Sequence, residues 1–297
     1  MKRTVVIVGT VLVASFAAIS VWKHGRGADY SAVDEGSTIS AEKKAEVRRF
    51  WNTYRRATSL KLQGAWAEAA SAYREALEIN PVHEDALYSL GNVLFELERY
   101  EEAATAWRRL IEANSHSTRA HIQLGAVYSC GASGAPFDLG IAEKEFQMAL
   151  AINKEETGPI LKLGEVCLLS GQRQRALTHF TAVVQSNVRS VPAHYLIGYL
   201  RWLEGEVEES RNALQQAVSF SRTKQSDGPF VGEGDTRSGK GGPLLAEGEG
   251  RKSFFASHWT ALSAWQDQTI TIPRMEEEYR EVDRRVKRLV GEVSASP

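Results

Sequence analysis

A chain of 297 residues, 43% hydrophobic and 25% charged, has the composition of an ordinary folded protein, with room for one or two domains. Its formal net charge of −1 excludes a broad electrostatic pull toward nucleic acid or anionic membrane surfaces. At the amino-terminus, Lys2 and Arg3 precede an uncharged run of 19 residues from Thr4 to Trp22, closed by Lys23. Roughly 17–25 apolar residues cross a bilayer as a helix, so 1–24 reads as a retained signal-anchor, a single-pass transmembrane helix. Ala18-Ile19-Ser20 resembles a cleavage site, but the apolar run continues past it, and secretion after cleavage stands as the alternative. Without a cysteine here a lipoprotein anchor is excluded, and Lys2 and Arg3 favour a cytoplasmic amino-terminus, which sets the remainder outside the cytoplasm, in the periplasm.

Residues 25–39 are a polar, Gly-containing spacer. Ser40 suits the cap of a helix that begins at Ala41 and runs to about Gln63. From there one dipeptide keeps returning: Leu90-Gly91, Leu124-Gly125, Leu163-Gly164 and Ile197-Gly198, the glycines 34, 39 and 34 residues apart. A second series keeps the same beat: Ala69, Ala103, Ala142, Ala176 and Ser210, each followed four residues later by Tyr73, Trp107, Phe146, Phe180 or Leu214. Pro81 closes the first unit. Both series shift together by five residues across the segment Cys130 to Pro136, whose small residues, Gly and Pro indicate an insertion that lengthens a loop.

The spacing has a packing reason. Glycine removes a Cβ where two helices cross closely, and residues i and i+4 share a helix face, which sets each large ring beside its small Ala. One hairpin cannot bury its apolar face alone, so like units stack. The pattern resembles the tetratricopeptide repeat family, W-x2-L-G-x2-Y…A-x3-F…P, over about 50–221. The resemblance implies an all-α, right-handed superhelical solenoid of about five hairpins across 40–221, with units near 50–83, 84–117, 118–156, 157–190 and 191–221. The first unit departs from the pattern with Arg56-Ala57, and the last with Ser210 and Leu214, as expected at the ends of a stack.

Residues 222–250 are Gly-rich and read as a linker. Gly234 to Gly241 matches G-x4-G-K but has Gly where a phosphate loop needs Ser or Thr, and no strand precedes it, so the linker reading prevails. In 251–297, Phe255, Trp259 and Leu262 follow helical spacing. Met275, Tyr279, Val282, Val286, Leu289 and Val293 then form a heptad stripe. That stripe fits a helical cap on the array or a short coiled coil joining two copies; so few heptads favour the cap.

The sequence carries no H-E-x-x-H, C-x-x-C or G-x-S-x-G, and no enzyme activity, cofactor or metal is expected. His121 and His194 recur, but both take the family's Trp slot, a packing position. Cys130 and Cys167 read as small buried residues, although an extracytoplasmic setting would permit a disulfide. Glu96-Leu97-Glu98 and Glu155-Glu156 read as solvated turns.

In the resembled family the first helix of each unit lines a concave groove that takes a protein or peptide partner. Carried over residue by residue, the lining is Trp51, Tyr54 and Thr58, then Tyr88, Asn92 and Phe95. Next come Ile122, Gln123 and Ala126, Leu161, Lys162 and Glu165, and Tyr195, Tyr199 and Trp202. Tyr54 and Thr58 replace the Lys and Asn with which some members hold a carboxy-terminal carboxylate, so an apolar extended or helical peptide fits better. The aromatic segment Phe254 to Trp265 is a second candidate occupant for the fifth-unit rings. The expected function is a membrane-anchored, non-enzymatic scaffold that recruits a partner through this groove, in the setting of envelope complex assembly. The alternatives are a soluble secreted or periplasmic scaffold and an accessory subunit of an enzyme complex.

Overall fold

The computed structural model describes residues 40–226, 254–265 and 269–294. The apolar run Thr4 to Trp22, the spacer and the near-motif Gly234 to Gly241 lie outside the described residues. Among the described residues no helix is long and apolar enough to cross a membrane. The chain divides into two compact units, Met1–Arg48 and Arg49–Pro297. In the first, the Lys43 amide donates to Ser40 Oγ at 3.2 Å, the expected helix cap.

The described elements are helical. Five hairpins follow one another: α1 (Ala41–Leu62) with α2 (Trp66–Ile79), α3 (Glu84–Glu96) with α4 (Tyr100–Ala113), α5 (Thr118–Tyr128) with α6 (Leu139–Ile152), α7 (Thr157–Leu169) with α8 (Arg173–Ser186), and α9 (Val191–Leu203) with α10 (Val207–Ser226). A short α11 (Ala256–Ala261) runs into a 3-10 turn, and α12 (Ile272–Ser294) closes the described chain.

Within four hairpins the turn is the same device. The amides of Ala65, Arg99, Gln172 and Glu206 each reach back five residues, to the carbonyls of Leu60, Leu94, Cys167 and Arg201, at 2.8–3.0 Å. Such a bond requires a left-handed residue just before the donor. Gly64, Gly171 and Gly205 fill that position with φ of 75°, 74° and 80°, and Glu98 fills it in the second unit with φ of 60°. The third hairpin uses its insertion instead: the Asp138 amide returns to the Tyr128 carbonyl at 2.8 Å, and Asp138 Oδ1 caps α6 on the Ile141 amide at 2.9 Å. Between hairpins, Asn80, Asn114, Asn153 and Asn187 stand at the ends of α2, α4, α6 and α8. In the last three the side-chain oxygen accepts the amide two residues on, an Asx turn.

The glycine series works as its spacing demands. A Cβ at Gly91 would collide with the Trp107 ring, one at Gly164 with Phe180, and one at Gly125 would stand 2.6 Å from Phe146. Each ring comes from the second helix of the same hairpin and is fully buried. Cys130 and Cys167 are buried, unbridged thiols. His121 and His194 are also buried. His121 Nδ1 lies 2.6 Å from Glu145 Oε2, tying α5 to α6, and His194 Nε2 lies 2.8 Å from the Val188 carbonyl.

Candidate protein-docking face

The first helices of successive hairpins present the predicted lining, and its two ends differ. In the first unit Trp51 is 45% exposed. It meets Phe50 edge-on at 5.2 Å and His83 at 5.6 Å, while Tyr54 stands half-buried beside both. Burial pushes the Tyr54 hydroxyl above its ordinary pKa. Thr58 is turned inward, its hydroxyl 3.1 Å from that of Tyr73. In the second unit Tyr88, Asn92 and Phe95 are half-buried. The Arg119 guanidinium lies 4.7 Å over the Tyr88 ring, and the Gln123 side-chain amide donates to the Tyr88 hydroxyl at 3.4 Å. Phe95 rests on Tyr100 at 5.3 Å and Trp107 at 6.1 Å. In the third unit Ile122 and Ala126 are half-buried and Gln123 is buried. In the fourth, Leu161 is half-buried and Lys162 pairs with the buried Glu165 at 3.0 Å.

At the fifth unit this chain supplies its own cover. Tyr195 and Tyr199 are buried, and Trp202 is half-buried against Tyr199. The Tyr195 hydroxyl donates to Glu278 Oε1 at 2.5 Å and the Tyr199 hydroxyl to Asp283 Oδ1 at 3.2 Å, both acceptors on α12. Burial, reinforced by these carboxylates, raises both phenol pKa values well above the ordinary range. Burial also pushes the Glu278 carboxyl up, but hydrogen bonds from His258 and Tyr195 outweigh that and leave it below its usual value. The occupant is therefore chiefly α12, rather than the aromatic segment Phe254 to Trp265 alone. That segment braces α12 from behind: Arg285 donates to Ser257 Oγ at 2.7 Å and to the Phe254 carbonyl at 3.1 Å, and meets His258 Nε2 at 2.5 Å. Met275, Tyr279 and Val282, the first half of the heptad stripe, are buried against the array, so they are spent within one chain.

Tyr279 is fully buried. Its hydroxyl donates to the Tyr195 carbonyl at 3.2 Å and occupies the space that a Cβ at Gly198 would need. Beside it the Ser210 hydroxyl donates to the Gly198 carbonyl at 2.7 Å and lies 3.2 Å from Met275 sulfur. None of Glu278, Tyr279, Asp283, His258 and Arg285 was marked by the lining pattern. The available signal was negative: Leu214 stands where the other units carry an aromatic ring. Among the described residues no group of three His, Cys, Asp or Glu side chains is arranged to hold a metal ion.

The tetratricopeptide repeat family model matches residues 54–125 and 161–227. Those two stretches resemble the tetratricopeptide repeat, and the helical hairpins around them have its fold. The unmatched interval holds the lengthened third-unit loop and α6. Several solved structures share the fold. MamA is 17% identical, with a TM-score of 0.51 over 64% of this chain and 99% of its own. A fragment of MamA from Desulfovibrio magneticus RS-1 is 15% identical, with a TM-score of 0.53 over 60% and 97%. PilF of Pseudomonas aeruginosa is 16% identical, with a TM-score of 0.51 over 82% of this chain and 93% of its own. No curated protein sequence matches this chain.

Proposed function

We propose that this chain is a non-enzymatic scaffold that recruits a protein partner through the first-helix face of its tetratricopeptide array and is held to a membrane by Thr4 to Trp22. The observation that carries the reading is the graded exposure of that face. Its amino-terminal half offers Trp51, 45% exposed, with half-buried Tyr54, Tyr88, Asn92, Phe95 and Ile122, while at the fifth unit Tyr195 and Tyr199 are covered by α12. Aromatic rings give large contact area at little entropy cost, and Tyr and Trp keep a polar group for peptide atoms, which suits an apolar extended or helical segment. The apolar run flanked by Lys2, Arg3 and Lys23 supports the anchor and, by charge, an extracytoplasmic array of the kind an envelope assembly factor needs.

The test is affinity capture of the intact protein from detergent-solubilised native membranes, beside a Tyr88→Ala, Phe95→Ala double variant. A stoichiometric partner lost from the variant supports recruitment through this face; the same partner retained overturns it. Trp22 present in the mature protein supports the anchor, and its absence moves the reading to a released soluble scaffold.

A further inference from the structure

The fifth hairpin lacks its own ring at the Gly198 crossing. In the second, third and fourth units the ring comes 16, 21 and 16 residues after the glycine, from the same hairpin; Tyr279 comes 81 residues after Gly198. The slot it enters has a polar lip, formed by the Tyr195 carbonyl and the Ser210 hydroxyl, and the hydroxyls of Tyr195 and Tyr199 stand outside it as donors. It therefore reads three things in an incoming helix: a tyrosine rather than a phenylalanine, an apolar residue four positions earlier, and carboxylates one position before and four after the tyrosine. In α12 these are Tyr279, Met275, Glu278 and Asp283.

We propose that this slot is a tyrosine-reading helix-docking site, that α12 is its resident and exchangeable ligand, and that its other occupant is a partner's amphipathic helix carrying the same tyrosine, apolar residue and acidic pair. The inference deepens the scaffold reading, since it names a second, gated part of the same face. Exchange is favoured by the chemistry of the contact. Glu278, Asp283, His258 and Arg285 are bonded across or behind it, and groups of that kind recover water on release, as in transient rather than obligate interfaces.

The experiment is fluorescence anisotropy of a labelled synthetic peptide spanning 269–294, titrated with the full-length protein. Wild type, holding its own helix, is expected to take the peptide weakly. Full-length Tyr279→Ala, checked for helix content by circular dichroism, is expected to bind it at least tenfold more tightly. A peptide carrying Tyr279→Phe is expected to bind that variant several-fold more weakly than the wild-type peptide does. Equal uptake by wild type and Tyr279→Ala, or none by either, with α12 amides of the wild type exchanging only at the rate of global unfolding, would overturn the proposal and make α12 a fixed part of the core. Capture of a partner through Tyr88 and Phe95 is read separately, so the failure of one reading leaves the other standing.

Discussion

The hydroxyl of Tyr279 occupies the volume that a methyl group at Gly198 would fill. At Gly91 the same volume belongs to Trp107, a ring from the adjoining helix of the same hairpin. One substitution should therefore act differently at the two places. Gly91→Ala must displace a buried ring of the core and should cost about 1–3 kcal/mol, lowering the midpoint of the whole unfolding transition. Gly198→Ala should chiefly evict α12, with faster amide exchange confined to 272–294 and a smaller change in the main transition. Thermal unfolding with hydrogen exchange by mass spectrometry separates them.

Tyr195 and Glu278 should couple. Tyr195→Phe leaves the half-buried carboxylate short of a donor, and a hydrogen bond to a charged group is worth about 1.5–3 kcal/mol. A double-mutant cycle with Glu278→Gln, read as the protection of α12 amides, should give a coupling energy of at least about 1 kcal/mol. A value near zero would show that His258 alone satisfies Glu278.

Docking of α12 should weaken at both ends of the pH scale. Glu278 is held below its ordinary pKa by His258 and Tyr195, so its contribution is complete above the unfolded value of about 4.3 and lost as pH falls through the folded value. Tyr195 and Tyr199 are raised by burial and then by their carboxylate partners. Their contribution is complete below about pH 10 and lost as pH rises towards their folded values. Ultraviolet titration of tyrosinate should show a late-ionising class that shrinks in Glu278→Gln, Asp283→Asn.

Glu98 holds a left-handed conformation that the equivalent turns give to Gly64, Gly171 and Gly205. A side chain there costs roughly 1–2 kcal/mol, offset by the greater freedom that glycine loses on folding. Glu98→Gly should raise stability by about 1 kcal/mol, seen as a higher denaturation midpoint. An unchanged or lower midpoint would show that the Glu98 side chain makes up the difference.

His121 and Glu145 join the two helices of the third unit, with the imidazole buried. His121→Ala should cost about 1–3 kcal/mol, because it opens a cavity and strips the carboxylate of its partner. His121→Ala, Glu145→Ala should recover part of that loss in the same denaturation experiment.

The array could be read from the sequence because its contacts are local. Gly91 and Trp107, or Gly164 and Phe180, are close in the chain and recur at one period, so each pair vouches for the others. The inter-unit asparagines, Asn80, Asn114, Asn153 and Asn187, keep that period too, and the series was there to be found. Tyr279 was not legible in this way. A heptad stripe states that a helix has an apolar side, but not what lies against it, and the contact with Gly198 is made once, without repetition. The rings at 195 and 199 show the same limit. Their spacing marks a surface-lining slot, and only the folded structure brings the carboxylates of α12 over them.

Gly131, in the loop that lengthens the third unit, has Phe254 and Leu289 at the place where its Cβ would be, 3.1 and 3.3 Å away. One helix thus grips the fifth hairpin with Tyr279 and touches the third through Leu289, about three turns further along at 1.5 Å per residue. The tail is in effect a gauge of the array. Insert or delete one hairpin between these points and the two grips no longer fall on the same helix at the same time, which ties the number of repeats in this stretch to the length of a segment that is not itself a repeat.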